Sequence, residues 1–271
     1  MEKDIMAYNP DFVIIDFSVN DSSSTDYEEA YEGIIRKLLK APKQPAIICI
    51  GFAKQSENNA QDIHVPLAQR YGIPYISYQD VVKPEIAAGR ILWTDISGDA
   101  VHPNIKGATI AADLVKCFLN YNYSNLSRIT DTALTTPAPK TANKYENAKF
   151  YNNTDLTATL SGGFSKVSDA FYGPGLGNGW KTTTVGGTIE FTLNAKSVRI
   201  CYIKSKNTSG GGIVEKFKNG SSLGTFDSKN SNQYDMVGFT TIYDGTQANN
   251  PYRLSLKSGE RFTLIGVMVL E

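Results

Sequence analysis

Three short apolar runs constrain the fold more than anything else in the chain: "DFVIIDF" (Asp11–Phe17), "PAIICIGF" (Pro45–Phe52) and "IPYIS" (Ile73–Ser77). They are rich in β-branched residues. The first two lack the polar alternation of a half-exposed strand, so they read as strands buried on both faces. Segments with helical spacing follow each of them. In Asp26–Ala41 the apolar residues Ala30, Ile34, Ile35, Leu38 and Leu39 form one stripe, with acids early and lysines late, as the helix dipole favours. Asp62–Gly72 closes on a glycine, and Asn104–Tyr121 starts just after Pro103, which suits a first helical turn. Strand, helix, strand, helix, strand, helix predicts a parallel sheet covered by helices.

The texture then changes. Residues 122–149 are polar and contain "TTPAPKTANK" (Thr135–Lys144), which reads as a linker or a strap over the surface. Residues 150–271 hold 17 of the 23 glycines. Period-two alternation runs through Thr188–Leu193, Ser197–Ile203, Tyr252–Leu256 and Arg261–Leu270, with glycine-bearing turns between. This predicts an antiparallel, jelly-roll-like β-sandwich. The expected organisation is an α/β domain over 1–121, a linker over 122–149 and a β-sandwich accessory domain over 150–271. Most aromatics of the last part are expected in the sandwich core. Those in "FYGPGLGNGW" (Phe171–Trp180) are the candidates for stacking on sugar rings.

Composition narrows the function classes. Lys plus Arg equals Asp plus Glu, 27 each in 271 residues, so charge makes no case for nucleic acid or an anionic membrane surface as partner. No run has the length of a membrane-spanning helix. Cys49, Cys117 and Cys201 each sit in an apolar run and are expected as small buried hydrophobes. No cofactor is expected: no His/Cys/Asp cluster has metal-ligand spacing, and no Gly-rich phosphate loop follows a strand. His64 reads as a packed or surface histidine. "MEKDIMAYNPDF" has no apolar signal-peptide core.

Two stretches can carry chemistry. In "DFVIIDFSVND" a buried strand runs out into Ser18, Val19, Asn20 and Asp21. Sites in open α/β sheets are built at such strand ends. Asn20 can aim an amide N–H at a developing oxyanion, or the Asn-Asp pair can simply turn the chain and cap a helix. In "GDAVHP", Asp99 and His102 lie within one turn. The carboxylate can hold the imidazole by Nδ1–H and leave Nε2 free as a general base, or it can merely cap.

In this order, "FSVND" and "DAVHP" resemble two signature blocks of the SGNH (GDSL-type) hydrolase family, with serine where many members carry glycine or alanine. The resemblance covers about Asp4 to Tyr121. It implies a flavodoxin-like fold and ester hydrolysis by a serine, with His102 as base, Asp99 as its orienter and Asn20 as an oxyanion donor. A small acyl ester or an acetylated carbohydrate is the implied substrate.

The same resemblance exposes a deficit. The family's Gly-Asp-Ser nucleophile block and its glycine block lie upstream of the asparagine block, and no Gly-Asp-Ser occurs in this chain. Three strands stand where a flavodoxin-like sheet needs about five. The expectation is an incomplete three-layer sheet: the C-terminal part of a longer hydrolase, with little activity alone. Its compartment is left open, since a leader would be lost with the first part. A homodimer or a complementing N-terminal chain is expected to cover the open strand edge. Neither Ser18 nor Ser97 stands in a strand-to-helix elbow that would make it a substitute nucleophile. The rival expectation is a non-catalytic carbohydrate-binding protein acting through the β-sandwich.

Overall fold

The computed structural model describes residues 1–56, 59–128, 135–206 and 210–271. The chain forms two compact units: residues 9–146, and residues 147–271 together with 1–8.

The first unit holds β1 (Phe12–Ile15), α1 (Thr25–Leu39), β2 (Ala46–Gly51), α2 (Gln61–Arg70), β3 (Tyr75–Ser77), α3 (Tyr78–Ala87), the short α4 (Trp93–Ile96) and α5 (Ile105–Tyr123). The strands form a parallel sheet in the order β1-β2-β3, so β2 is central and β1 is an edge. This is the α/β architecture that the alternating runs demand. The burial follows the order. β2 is buried from Ile47 to Gly51, whereas Phe12 and Ile14 of β1 stay exposed. Two helices, α3 and α4, stand between β3 and α5 beyond the expected three. Pro84 lies inside α3, and the side chain of Ser77 accepts the Asp80 N–H at 3.0 Å as its cap. Ile50, Ala53, Tyr78, Val82, Ile96 and Ala111 make one core between sheet, α3, α4 and α5.

α1 departs from a single apolar stripe. Glu32 and Arg36 are buried with Ile35, Leu38 and Leu39, because the polar segment from Pro137 to Glu146 lies across the helix as a strap. Glu32 accepts hydrogen bonds from Tyr71 Oη (2.6 Å) and from the N–H groups of Lys140 (2.7 Å) and Thr141 (2.8 Å). Burial alone would raise its pKa, but these donors outweigh burial and hold it below the ordinary value. Arg36 reaches Pro137 O at 2.6 Å and Glu146 Oε2 at 2.7 Å. The strap comes so close that a Cβ on Gly33 would lie 2.8 Å from Tyr145 Cβ.

α5 is less buried than its apolar sequence suggests. Gly107 and Ala111 are its buried residues; Ile105, Leu119, Tyr121 and Tyr123 are exposed. Cys117 is exposed as well, contrary to expectation, because it projects from the outer side of this helix; Cys49 and Cys201 are buried. Among the described residues no helix is long and apolar enough to cross a membrane.

In the second unit the named strands pair antiparallel. It comprises β4 (Lys149–Tyr151), β5 (Thr159–Ser161), β6 (Ser165–Val167), the one-turn α6 (Pro174–Gly177), β7 (Gly179–Thr182), β8 (Thr188–Lys204), β9 (Gly212–Lys218), β10 (Ser221–Asp227), β11 (Met236–Gly259) and β12 (Phe262–Leu270). The strand order is β10-β9-β11-β8-β12-β7-β6, with β4 on β12 and β5 on β8. The two runs read as separate strands at Thr188–Leu193 and Ser197–Ile203 are one long β8. Its partner β11 slips register between Thr241 and Tyr243 and between Asp244 and Ala248, and bulges of this kind let long strands bend around a core. Trp180, Phe191, Tyr252 and Phe262 pack in that core. Trp180 is thereby withdrawn from the sugar-stacking candidates, while Tyr172 remains outside and exposed.

Candidate active site

The candidate residues stand on two loops, one following β1 and one between α4 and α5. After Ile15 the chain passes through Asp16 and Phe17 into a tight turn, in which Phe17 O accepts the N–H groups of Asn20 (3.0 Å) and Asp21 (2.9 Å). Ser18 fixes this turn to the neighbouring strand. Its buried hydroxyl donates to Asp16 Oδ1 at 3.0 Å and accepts the Phe52 N–H at 2.8 Å, and its carbonyl accepts the Ala60 N–H at 2.9 Å. Asn20 is left exposed at the tip.

Asp21 sets the orientation of the turn from the other side. Its Oδ2 lies 3.0 Å from Nε2 of His64, which is buried and stacked on Tyr31 at 3.8 Å between ring centroids. His64 is therefore a packed residue of α2 that holds the turn carrying Asn20. Nothing local in the sequence signals this pair, because its members are 43 positions apart.

The second loop runs from Ser97 to Pro103, whose backbones form an isolated antiparallel bridge. Gly98 N–H donates to His102 O (3.0 Å), and the Ser97 hydroxyl lies within 2.8 Å of the carbonyls of Asp99 and His102. Asn104, not Pro103, makes the helix boundary: its side chain accepts the Gly107 N–H at 3.1 Å, and α5 begins at Ile105. Gly107 lets the helix start against α4. A Cβ there would sit 2.1 Å from Ile96 O.

This closed loop brings Asp99 and His102 together. Asp99 Oδ2 lies 2.7 Å from His102 Nδ1, while Oδ1 accepts the N–H groups of Val101 and His102, both at 2.7 Å. The His102 N–H, the imidazole and the Val101 N–H together hold the Asp99 carboxyl down at about 2. A carboxylate on Nδ1 selects the Nδ1–H tautomer and leaves the lone pair on Nε2. Nε2 has no hydrogen-bond partner among the described residues, and the His102 side chain is 82% exposed. The arrangement can accept a proton from a group approaching from outside.

Asn20 makes no hydrogen bond to Asp99 or His102 among the described residues. The two loops share a support: the Gln55 N–H donates to Ala100 O at 2.9 Å, and the same segment after β2 carries the Phe52 and Ala60 N–H groups bound to Ser18. Neither nearby serine is presented for attack. Ser18 and Ser97 are both buried, and their hydroxyls are engaged with Asp16 and Phe52 and with backbone carbonyls respectively. Among the described residues no group of three or more His, Cys, Asp or Glu side chains could hold a metal ion.

No protein-family model and no curated protein matches the sequence. Solved structures do. A family 35 carbohydrate-binding module from Clostridium thermocellum matches 45% of this chain and 97% of its own, at 16% identity and a TM-score of 0.32. A crystal structure of CEX, a two-domain esterase active on acetylated mannans, matches 100% of this chain and 75% of its own, at 26% identity and a TM-score of 0.88. The same esterase co-crystallised with mannopentaose gives 26% identity and a TM-score of 0.84, over 100% of this chain and 74% of the other. The chain is thus similar along its whole length to about three quarters of a two-domain esterase active on acetylated mannans.

Proposed function

We propose that this chain is the histidine–aspartate half of a serine ester hydrolase that removes acetyl groups from carbohydrate, with acetylated mannan as the substrate class. The observation that carries the reading is the Asp99–His102 pair, closed at 2.7 Å with Nε2 turned outward. The likeness to CEX supplies the substrate class.

In this reading a serine from outside residues 1–271 attacks the acetyl carbonyl while its hydroxyl proton passes to His102 Nε2. The tetrahedral oxyanion accepts a hydrogen bond from the Asn20 side-chain amide. His102 returns the proton to the sugar oxygen as it leaves. Water then attacks the acyl-serine, giving its proton to His102, which passes it to the serine oxygen as the acyl bond breaks and acetic acid departs. Asp99 orients the imidazole and stabilises its charged form. The serine-bearing segment completes the sheet along the open edge of β1, where Phe12 and Ile14 are exposed and no strand pairs among the described residues.

The test is turnover of p-nitrophenyl acetate and acetylated mannan by two proteins: the chain itself, and the chain extended through the preceding coding sequence until a Gly-Asp-Ser block is included. The expected result is negligible turnover by the first and a rate abolished by His102→Ala in the second. A robust His102-dependent rate from residues 1–271 alone would refute the external serine. Absence of any Gly-Asp-Ser block upstream or in a partner chain would refute the esterase reading.

A second reading rests on the β unit, where Tyr172, Tyr234 and Phe239 expose aromatic surface suited to sugar stacking. In it the chain binds glycan without cleaving it. Retention of residues 147–271 alone on an acetylated-mannan gel, with no turnover by the extended protein, is its signature.

A further inference from the structure

A groove of about 630 Å³ opens in the α/β unit beside the turn that carries Asn20. Ser23, Gln61, Asp62 and Gln79 line it with polar groups, and Val65 and Pro66 add apolar surface. It lies where the loop after β1 meets the first turns of α2 and α3. Ser23 stands three residues beyond Asn20, and its hydroxyl donates to Asp62 Oδ1 at 2.7 Å.

The groove is pre-organised. Gln61 is locked at both ends of its amide: Oε1 accepts from Ser77 Oγ at 2.6 Å, and Nε2 donates to both oxygens of Asp80 at 3.0 and 2.9 Å. Asn59, buried below, donates to Phe52 O and accepts the Gln61 N–H at 2.9 Å. These bonds leave two groups for a ligand. The second oxygen of Asp62 and the amide nitrogen of Gln79 have no partner among the described residues. One accepts and the other donates.

Charge decides the ligand class. Among the described residues no lysine or arginine lines the groove. The helix N-termini beside it, which would otherwise attract an anion, already carry Asp62 and Asp80 in their first turns. Phosphate, sulfate and uronate are therefore disfavoured. A neutral ligand with vicinal hydroxyls and an apolar ring face matches an amide, a carboxylate and a Val–Pro surface.

We propose that this groove is a subsite for neutral hexose residues of a glycan, holding the chain so that an acetyl ester reaches Asn20 and His102. The proposal rests on the esterase reading for its direction toward the site, but its test requires no turnover. The ¹⁵N-labelled full chain is titrated with mannopentaose. The expected result is a saturable shift of the amide signals of Ser23, Gln61, Asp62 and Gln79. Gln79→Ala weakens that binding about threefold to tenfold, the loss expected for one neutral hydrogen bond, and Asp62→Ala about tenfold or more, because its carboxylate makes a charge-assisted one. Asp62→Asn serves as the shape-preserving variant should Asp62→Ala lose its dispersed spectrum. Shifts confined to residues 147–271, absence of binding, or affinities unchanged in all three variants would overturn the subsite. Failure of the esterase reading appears separately, as sugar binding in the groove with no His102-dependent deacetylation by the extended protein.

Discussion

The Ser18 hydroxyl accepts the Phe52 N–H at 2.8 Å and thereby joins the turn after β1 to the segment after β2. The same hydroxyl donates to Asp16, so its proton is already committed. Ser18 is thus a bracket for the Asn20 turn and no nucleophile. Ser18→Ala is expected to leave a buried N–H unpaired and to cost about 1–3 kcal/mol in urea unfolding. A fluorophosphonate serine probe is expected to label neither Ser18 nor Ser97 in residues 1–271. Mass-spectrometric detection of either adduct would contradict this assignment.

Asp99 is expected to titrate far below an ordinary aspartate. Its ordinary value is 3.8, and three donors hold it at about 2. The sign follows from a depressed carboxyl: the interaction is complete above about 3.8 and is lost as pH falls through about 2. The Asp99–His102 bond therefore survives at pH 3. A ¹³C titration of the Asp99 carboxyl should have its midpoint near 2. In His102→Ala it should move upward but stay below 3.8, since two backbone donors remain.

The tautomer of His102 follows from the same bond. Long-range ¹H–¹⁵N spectra above pH 8 should show Nδ1 protonated and Nε2 bare. Asp99→Asn replaces an acceptor pair by an amide that can present N–H to Nδ1, so the population of the Nε2–H tautomer should rise. An unchanged tautomer ratio would mean that the carboxylate does not orient the ring.

The strap over α1 depends on Glu146. Burial would raise its pKa, but donors on Lys40, Arg36 and Asn143 more than offset burial and hold it at about 2. Its stabilisation is present above the ordinary glutamate value of 4.5 and is lost only as pH falls toward 2. Glu146→Ala leaves Arg36 buried without its anion and is expected to cost about 3–5 kcal/mol. Urea unfolding at pH 7 measures the loss, and faster amide exchange at Lys140 and Thr141 should accompany it.

Gly107 sits where α5 crosses Ile96 O, with 2.1 Å available to a Cβ. Gly107→Ala gains roughly 1 kcal/mol of helix propensity. It forces the helix start away from α4, an overpacking cost of about 1–3 kcal/mol. Net destabilisation is expected in thermal melts, with shifted His102 signals because the loop from Ser97 to Pro103 is displaced.

Much of this protein is written locally. The β-branched runs gave β1, β2 and β3, and the continuous apolar run of β2 matches a strand buried on both faces, whereas β1 keeps Phe12 and Ile14 exposed. The three-residue spacing of Asp99 and His102 sufficed for their pairing, because one turn of chain brings those side chains into reach. Glycine-punctuated alternation announced the antiparallel unit. What tertiary structure alone decided are the contacts between distant segments: Glu32 and Arg36 buried under residues 137–146, His64 stacked on Tyr31 and bound to Asp21, Ser18 spent on Phe52, Cys117 turned outward. All but Cys117 are placed by the partner they meet across the fold, and such a partner leaves no periodicity in its own stretch of sequence; Cys117 faces outward on α5.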